Sequence, residues 1–327
     1  GVLLDAARST YGPATIVGIS EGAARLRGLV AEAAQGTQPV LLLGEPGTGK
    51  EHLARALHFS SEQGGPFLPV GCAGLAPESL ESELFGHVRG AFEGAGADRP
   101  GLFQQGAHGT VFLEDVDQLP LPLQDKLLRA LQEGKVTRAG SQRAETVEVR
   151  VVAASAVDLA ARVREGAFLG DLLEALSAFV IAAPPLRERP EDVPLLAQHF
   201  LVRFAAGRSA LEVSDAALWV LENHGWPGNV RELESCLRRA CQQFSEEETI
   251  EVEDLPAPLQ ELAERLPSRD LMPSPPPTRV ALGSEHSGAQ GGGPPARLPL
   301  GAAGSERGVA QKPWEIGPED PPSLELY

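Results

Sequence analysis

The segment Gly44-Glu45-Pro46-Gly47-Thr48-Gly49-Lys50 constrains this chain more than any other stretch of it. It follows an apolar run, Val40-Leu41-Leu42-Leu43, and leads directly into a helical pattern that begins at Glu51. Glycines at this density let a loop fold back so that successive N–H groups point inward at an anion. The helix that follows adds the positive end of its dipole, and Lys50 adds a full charge. Strand, glycine loop, lysine and helix in that order predict a phosphate cradle on a parallel α/β sheet. One position departs from the general pattern. Residue 51 is Glu, where Ser or Thr would ligate magnesium.

Two further apolar runs, Thr110-Val111-Phe112-Leu113 and Val149-Arg150-Val151-Val152-Ala153, alternate with helical patterns up to about Pro185. Continuous apolar runs joined by helices read as parallel strands buried on both faces. From Pro190 to about Leu266 the pattern is purely helical, with Leu195, Leu196, His199, Phe200 and Phe204 at helix spacing, then Leu233, Leu237 and Ala240. Beyond Pro267 the chain becomes a Pro/Gly/Ser/Ala tract containing Pro275-Pro276-Pro277 and Gly291-Gly292-Gly293-Pro294-Pro295. Such a tract has too few apolar groups to offset its ordering entropy, so a disordered linker or tail is expected over 267–327. A length of 327 residues suits about two domains plus tails.

Composition removes several function classes. The 42% apolar fraction excludes wholesale disorder. With 28 Lys+Arg against 45 Asp+Glu, the net charge is −17, which repels phosphate backbones. This chain by itself is therefore not expected to grip DNA or RNA. Cys72, Cys236 and Cys241 are too few for a disulfide scaffold and fit a reducing compartment; none pairs with a histidine at zinc-ligand spacing. No apolar run approaches the roughly 18 residues of a membrane span, and no signal-peptide pattern opens the chain, so a cytoplasmic location is expected. Gly1 in place of Met suggests a processed chain or an excerpt of a longer one. The seven histidines (His52, His58, His87, His108, His199, His224, His286) show no pairing suited to general-base work, so packing or surface roles are expected. Glu246-Glu247-Glu248, with Glu251, Glu253 and Asp254, reads as a solvated helix end and connector.

Gly-Lys-Glu at the end of the cradle is also the ending used by one family. From Ile16 to about Glu234 the chain resembles the AAA+ domain of the bacterial enhancer-binding proteins, activators of sigma-54 RNA polymerase. The resemblance continues, in family order, through Gly65-Pro66-Phe67, Glu81-Ser82-Glu83-Leu84-Phe85-Gly86, Gln124-Asp125-Lys126-Leu127-Leu128-Arg129, Pro184-Pro185-Leu186-Arg187-Glu188-Arg189 and Trp226-Pro227-Gly228-Asn229-Val230-Arg231-Glu232-Leu233. It implies an N-terminal connector (1–15), an α/β nucleotide-binding AAA+ domain (16–188), a small all-helical lid (189–266) and the tail. It also implies that ATP with Mg²⁺ is bound by Gly44, Glu45, Pro46, Gly47, Thr48, Gly49, Lys50 and Glu51, with Ile16, Val17 and Gly18 on the adenine side and Arg231 reaching in from the lid. Ring assembly, with itself or with related AAA+ subunits, and remodelling of sigma-54 follow from the same resemblance. Relatives often carry a helix-turn-helix after such a linker. The chain stops before one, so DNA contact is expected only through a domain outside it.

The residues that drive chemistry in the family are altered here. Hydrolysis needs a carboxylate for Mg²⁺, a second to orient water and an arginine against the developing charge. The family motif Gly-Thr-Leu-Phe-Leu-Asp-Glu becomes Gly109-Thr110-Val111-Phe112-Leu113-Glu114-Asp115, with the two acids exchanged. Glu114 falls on the metal position and Asp115 on the water position, and a shift of about 1 Å costs on the order of 100-fold. The asparagine expected before Cys72 is Gly71, and the sensor asparagine falls on Ala156. The two arginine fingers fall on Leu169 and Ala175. In the sigma-contacting loop, Gly-Ala-Phe-Thr-Gly-Ala becomes Gly90-Ala91-Phe92-Glu93-Gly94-Ala95. Burying the new carboxylate at an interface would cost several kcal/mol. The expectation is an ATP-binding regulatory module impaired in hydrolysis and in sigma-54 contact. The alternative is a working ATPase activator that uses Glu114, Asp115 and other arginines.

Overall fold

The computed structural model describes residues 11–205, 212–242 and 249–267. The expected tail beyond Pro267, residues 1–10 of the connector and Glu246-Glu247-Glu248 lie outside the described residues. The first part of the chain runs α1 (Glu21–Ala34), β1 (Val40–Leu43), α2 (Lys50–Ser60), β2 (Phe67–Gly71), α3 (Pro77–Phe85), α4 (Leu102–Gln105) and β3 (Thr110–Glu114). It continues with α5 (Leu121–Glu133), the strands β4 (Lys135–Thr137) and β5 (Ala144–Thr146), then β6 (Arg150–Ser155), α6 (Leu159–Arg164), α7 (Gly170–Leu176) and β7 (Phe179–Ala182). The second part holds α8 (Val193–Ala205), β8 (Glu212–Val213), α9 (Asp215–Asn223), α10 (Asn229–Cys241), β9 (Thr249–Ile250) and α11 (Ala257–Arg265).

Five strands form one parallel sheet in the order β2-β3-β6-β1-β7. The apolar runs read from sequence become its three central strands. Their side chains alternate between two cores, as a pleated strand requires. Leu41, Val111, Leu113, Val151 and Ala153 pack with α3, α5 and α7 on one face. Val40, Leu42, Phe112, Val152 and Ala154 pack with α1 and α2 on the other. Both edge strands escape a periodicity reading because they are short and mixed. Pro69 in β2 cannot donate to a ladder, which confines that strand to an edge.

The lid core gathers Leu196, Phe200, Leu221, Leu233 and Leu237 around Trp226, whose Nε1 donates to Leu221 O at 2.8 Å. The region read as purely helical carries one addition, the two-residue parallel pair β8–β9. Pairs this short leave no period-2 pattern in a sequence. Among the described residues, no helix is long and apolar enough to cross a membrane.

Parallel order places the C-terminal ends of β1, β3 and β6 side by side, where ligands of open α/β sheets bind. The glycine loop leaves β1 there, and the acidic pair Glu114-Asp115 leaves β3.

Candidate nucleotide-binding site

The loop from Gly44 to Gly49 wraps the N-terminus of α2. Gly47 has φ +78°, and a Cβ there would come within 2.1 Å of Gly228 O in the lid, so both backbone and space demand glycine. The Lys50 side chain is 8% exposed and donates from Nζ to Gly44 O at 2.7 Å and Glu45 O at 3.1 Å. It makes no ion pair among the described residues. Burial pushes its pKa down, while Asp115 and Glu114 act in the opposite sense. Arg189 is buried beside it, with Nη2 3.5 Å from Thr48 O and Nε without a hydrogen-bond partner. Burial lowers its pKa as well, opposed by Asp192. Two buried cations held by neutral carbonyls, one with an orphaned donor, fit an anionic phosphate group.

A cavity of about 400 Å³ opens at this point. Pro46, Gly47, Thr48, Gly49, Lys50 and Glu51 line it, with Ile16, Val17, Glu114, Asp115 and Arg231. Gly44, Glu45 and Gly18 do not reach it. Gly44 and Glu45 instead supply the carbonyls that hold Lys50. Gly18 lies against Asp192, whose carboxylate would sit 2.6 Å from a Cβ at that position. Glu51 is paired with Arg55, from which Nε and Nη2 donate at 3.1 and 2.7 Å. That pairing turns Glu51 to its own helix face. Magnesium needs only one or two protein carboxylates beside the phosphates. Glu114 and Asp115 line the cavity together with Glu51 and Glu234, and no cluster of three metal-ligating side chains occurs among the described residues.

The lid is fastened to the loop through Glu45. Arg187 donates to both Glu45 oxygens at 2.7 and 2.8 Å. Asn229 Nδ2 donates to Glu45 Oε2 at 3.2 Å and Pro46 O at 3.0 Å, while its Oδ1 accepts from Leu186 N at 2.7 Å. Arg231 N donates to Gly47 O at 3.2 Å. Hydrogen bonds from Arg187, then from Asn229, hold the Glu45 pKa down to about 2. A depressed carboxylate contributes stability above its unfolded pKa, near 4.5, and loses it only as pH falls toward 2. The latch is therefore expected to stay closed from pH 5 to 8. Glu45→Gln should loosen it throughout that range, read as faster amide exchange at the N-terminus of α10. Unchanged exchange in the variant would contradict the latch.

Sequence reasoning passed over Asn229, Arg189 and Asp192 as site residues. Asp192 is fully buried and accepts from Ile19 N at 2.7 Å, Ser20 N at 2.8 Å and Ser20 Oγ at 2.7 Å. It thereby fixes the Ile19-Ser20 turn at the start of α1, directly after the Ile16–Gly18 segment, whose Ile16 and Gly18 carbonyls accept from Arg27. A lone acid in a Pro-Glu-Asp run carries no periodic or motif signal of burial. Asp192→Ala should cost about 3 kcal/mol, because three donors lose one buried acceptor. A thermal melt unchanged within 1 °C or so would contradict that assignment.

Of the altered positions, Glu114 and Asp115 line the cavity, whereas Gly71, Ala156, Leu169 and Ala175 do not. Asp115 sits in the left-handed region at φ 53°, directly after the strand end at Glu114. Gly71 pairs in register with Glu114, and a Cβ there meets nothing within 4 Å. Ser155, before Ala156, donates from Oγ to Asp117 Oδ1 at 2.9 Å. Leu169 packs its side chain against the sheet core, and its N–H donates to Gln124 Oε1 at 2.8 Å. Ala175 lies half-buried on α7. Two arginines placed by position in the chain to stand in for the missing fingers are already paired: Arg187 with Glu45, and Arg164 with Asp158 at 3.6 Å.

None of Gly90, Ala91, Phe92, Glu93, Gly94 and Ala95 lines the cavity; they form a self-bonded loop. Gly90 N donates to Ala95 O at 2.8 Å, and Ala95 N donates to Phe92 O at 3.0 Å. Phe92 meets the His87 ring edge-on at 5.0 Å, and Glu93 is exposed with no ion pair among the described residues.

The family described as sigma-54 interaction domain matches residues 16–182, and the AAA+ ATPase lid domain matches residues 187–270. The nitric oxide reductase transcription regulator NorR1 of Cupriavidus necator is 51% identical over 229 residues, covering 69% of this chain and 44% of that protein. Regulatory protein AtoC of Escherichia coli is 46% identical over 204 residues, covering 62% of this chain and 44% of that protein. This chain thus spans less than half the length of these relatives. Among solved structures, NtrX from Brucella abortus in complex with ADP aligns with a TM-score of 0.70 at 30% identity, covering 82% of this chain and 58% of that one. NtrX has also been solved in complex with ATP.

Proposed function

Because this chain belongs to the sigma-54 interaction domain family of AAA+ proteins, we propose that it is the ATP-binding module of a sigma-54-type bacterial transcriptional regulator, impaired in hydrolysis and in sigma-54 contact. The observation that carries the binding half is the pair of buried cations, Lys50 and Arg189, at the mouth of a glycine loop. The Gly44–Glu51 loop would hold the phosphates, Ile16 and Val17 would flank the base, and Arg231 would reach the nucleotide from the lid. Magnesium, when bound, would neutralise phosphate charge, held through Glu114 with Asp115 beside it. Residues 16–188 would act as the nucleotide domain and 189–266 as the lid.

The hydrolysis half rests on what the altered side chains can do. Leu169 and Ala175 carry no charge to offer a neighbouring subunit's phosphate, and an arginine finger is worth roughly 10³–10⁵ in rate. Ala156 and Gly71 have no polar side chain with which to report the state of the γ-phosphate. Assembly into a ring, with itself or with related AAA+ subunits, would then serve regulation more than turnover. Contact with sigma-54 would be weakened by Glu93, whose carboxylate stands exposed in the contact loop. Any grip on DNA would come from a domain outside this chain.

One observation favours the working-ATPase reading: Glu114 and Asp115 both line the same cavity as Lys50. Calorimetric titration with ATP and ADP, run beside a phosphate-release assay, separates the two readings. Binding without release supports the impaired module, and binding with release supports the enzyme.

A further inference from the structure

Resting on the nucleotide reading above, we infer that His52 reads the 6-position of the nucleobase and selects a 6-amino purine over a 6-oxo purine. His52 is the third residue of α2, two places after Lys50, and lines the cavity with Thr15 and Ile16. Its Nε2 lies 3.1 Å from Thr15 Oγ1 and 3.3 Å from Thr15 O. The Thr15 hydroxyl donates its own proton to Gly12 O at 2.7 Å, so toward His52 it can only accept. The Thr15 carbonyl can likewise only accept. Both contacts therefore place the imidazole proton on Nε2 and leave Nδ1 as a bare acceptor.

The ring is held neutral. Burial pushes its pKa down, the hydrogen bond to Thr15 opposes this, and the neighbours His199, Arg203 and Arg55, two of them guanidinium cations, push it down further. Tyr11 is the other titratable side chain against it, with ring centroids 6.2 Å apart. Among the described residues Nδ1 has no hydrogen-bond partner. Ile16, Val17, Leu26, Leu196 and Phe200 give the cavity an apolar surface for a flat base, with His199, Arg203 and Glu234 as polar members of the same lining. A fixed acceptor in such a wall discriminates by sign. A 6-amino group donates to it, whereas a 6-oxo group sets acceptor against acceptor and leaves both unpaired. Residue type alone carries no hint of this, because the tautomer is set by a hydroxyl 37 positions away whose proton is spent elsewhere.

The test compares ADP, its 6-oxo analogue inosine diphosphate and purine riboside diphosphate, which lacks the 6-substituent, by calorimetry on the full chain. The unmodified chain should bind ADP at least about tenfold more tightly than inosine diphosphate, with the unsubstituted purine between them. His52→Leu removes the acceptor and should bring the two affinities within about twofold. His52→Gln should do the same by another route, because its amide can rotate to accept from a 6-amino group or donate to a 6-oxo group. Thermal melts identify a variant that has failed to fold, and the ratio in the unmodified chain stands independently of both. Equal affinities in the unmodified chain, or a preference that survives in both variants, would overturn the role of His52 while leaving nucleotide binding intact. Failure of the unmodified chain to bind ADP at all would overturn the nucleotide reading and this inference with it.

Discussion

Lys50→Ala is expected to abolish measurable binding of both ATP and ADP. The lysine is the residue of the glycine loop that carries a positive charge into the cavity wall, and it is 8% exposed. Its ammonium is held by two neutral carbonyls, Gly44 O and Glu45 O, and can turn from them to phosphate oxygens without breaking an ion pair. Charge-assisted bonds to phosphate are roughly twice as strong as neutral ones. Losing them in a buried site should weaken binding by 100-fold or more, on the order of 3 kcal/mol. The variant also leaves two loop carbonyls unpaired, so its melting temperature has to be measured alongside. Calorimetry giving equal affinity for a folded Lys50→Ala and the unmodified chain would remove the cradle from the account. Magnesium should strengthen binding only modestly, given a longer acid at Glu114 and a Glu51 committed to Arg55.

Rebuilding turnover is expected to need six changes at once. Catalytic groups that act as a unit are strongly non-additive, so single reversions should do little. Glu114→Asp with Asp115→Glu restores the lengths of the two carboxylates. It also puts Glu at φ 53°, a left-handed position that aspartate tolerates better, at a cost of about 1 kcal/mol. Gly71→Asn has open space for its side chain. Leu169→Arg exchanges a residue packed on the core margin for a guanidinium, so some stability should be lost there. Ala175→Arg and Ala156→Asn complete the set. Phosphate release is expected to rise by at least about 10³ only when both arginines and both asparagines join the acid swap. A further Glu93→Thr should be required before sigma-54 is engaged. Turnover restored by the acid swap alone would show that the arginine positions were misassigned.

The sheet and the cradle were legible because both rest on short-range signals. Val40–Leu43 followed by Gly44–Lys50 writes strand, loop and charge into consecutive residues. Thr110–Leu113 and Val149–Ala153 announce buried strands by short β-branched and apolar runs, the second interrupted only by Arg150. The edges were not legible: β2 contains Pro69, and β7 is four residues without a distinctive pattern. The sequence-spaced half of the site fared better than the half assembled by folding. Ile16, Val17 and Arg231 do line the cavity with Lys50. Asp192, Asn229, Arg189 and His52 gained their places through contacts across 37 to 184 positions, which no local spacing encodes. His52 was grouped with the packing histidines because its chemistry depends on where one proton of Thr15 goes.

The central claim is a module that binds ATP and does not turn it over. It is tested most directly by steady-state phosphate release from the unmodified chain, on a sample whose ATP binding has been measured by calorimetry. Lys50→Ala sets the background. The account predicts saturable ATP binding with phosphate release no faster than that background. Release well above it, lost in Lys50→Ala, would contradict the account and establish the chain as a working ATPase.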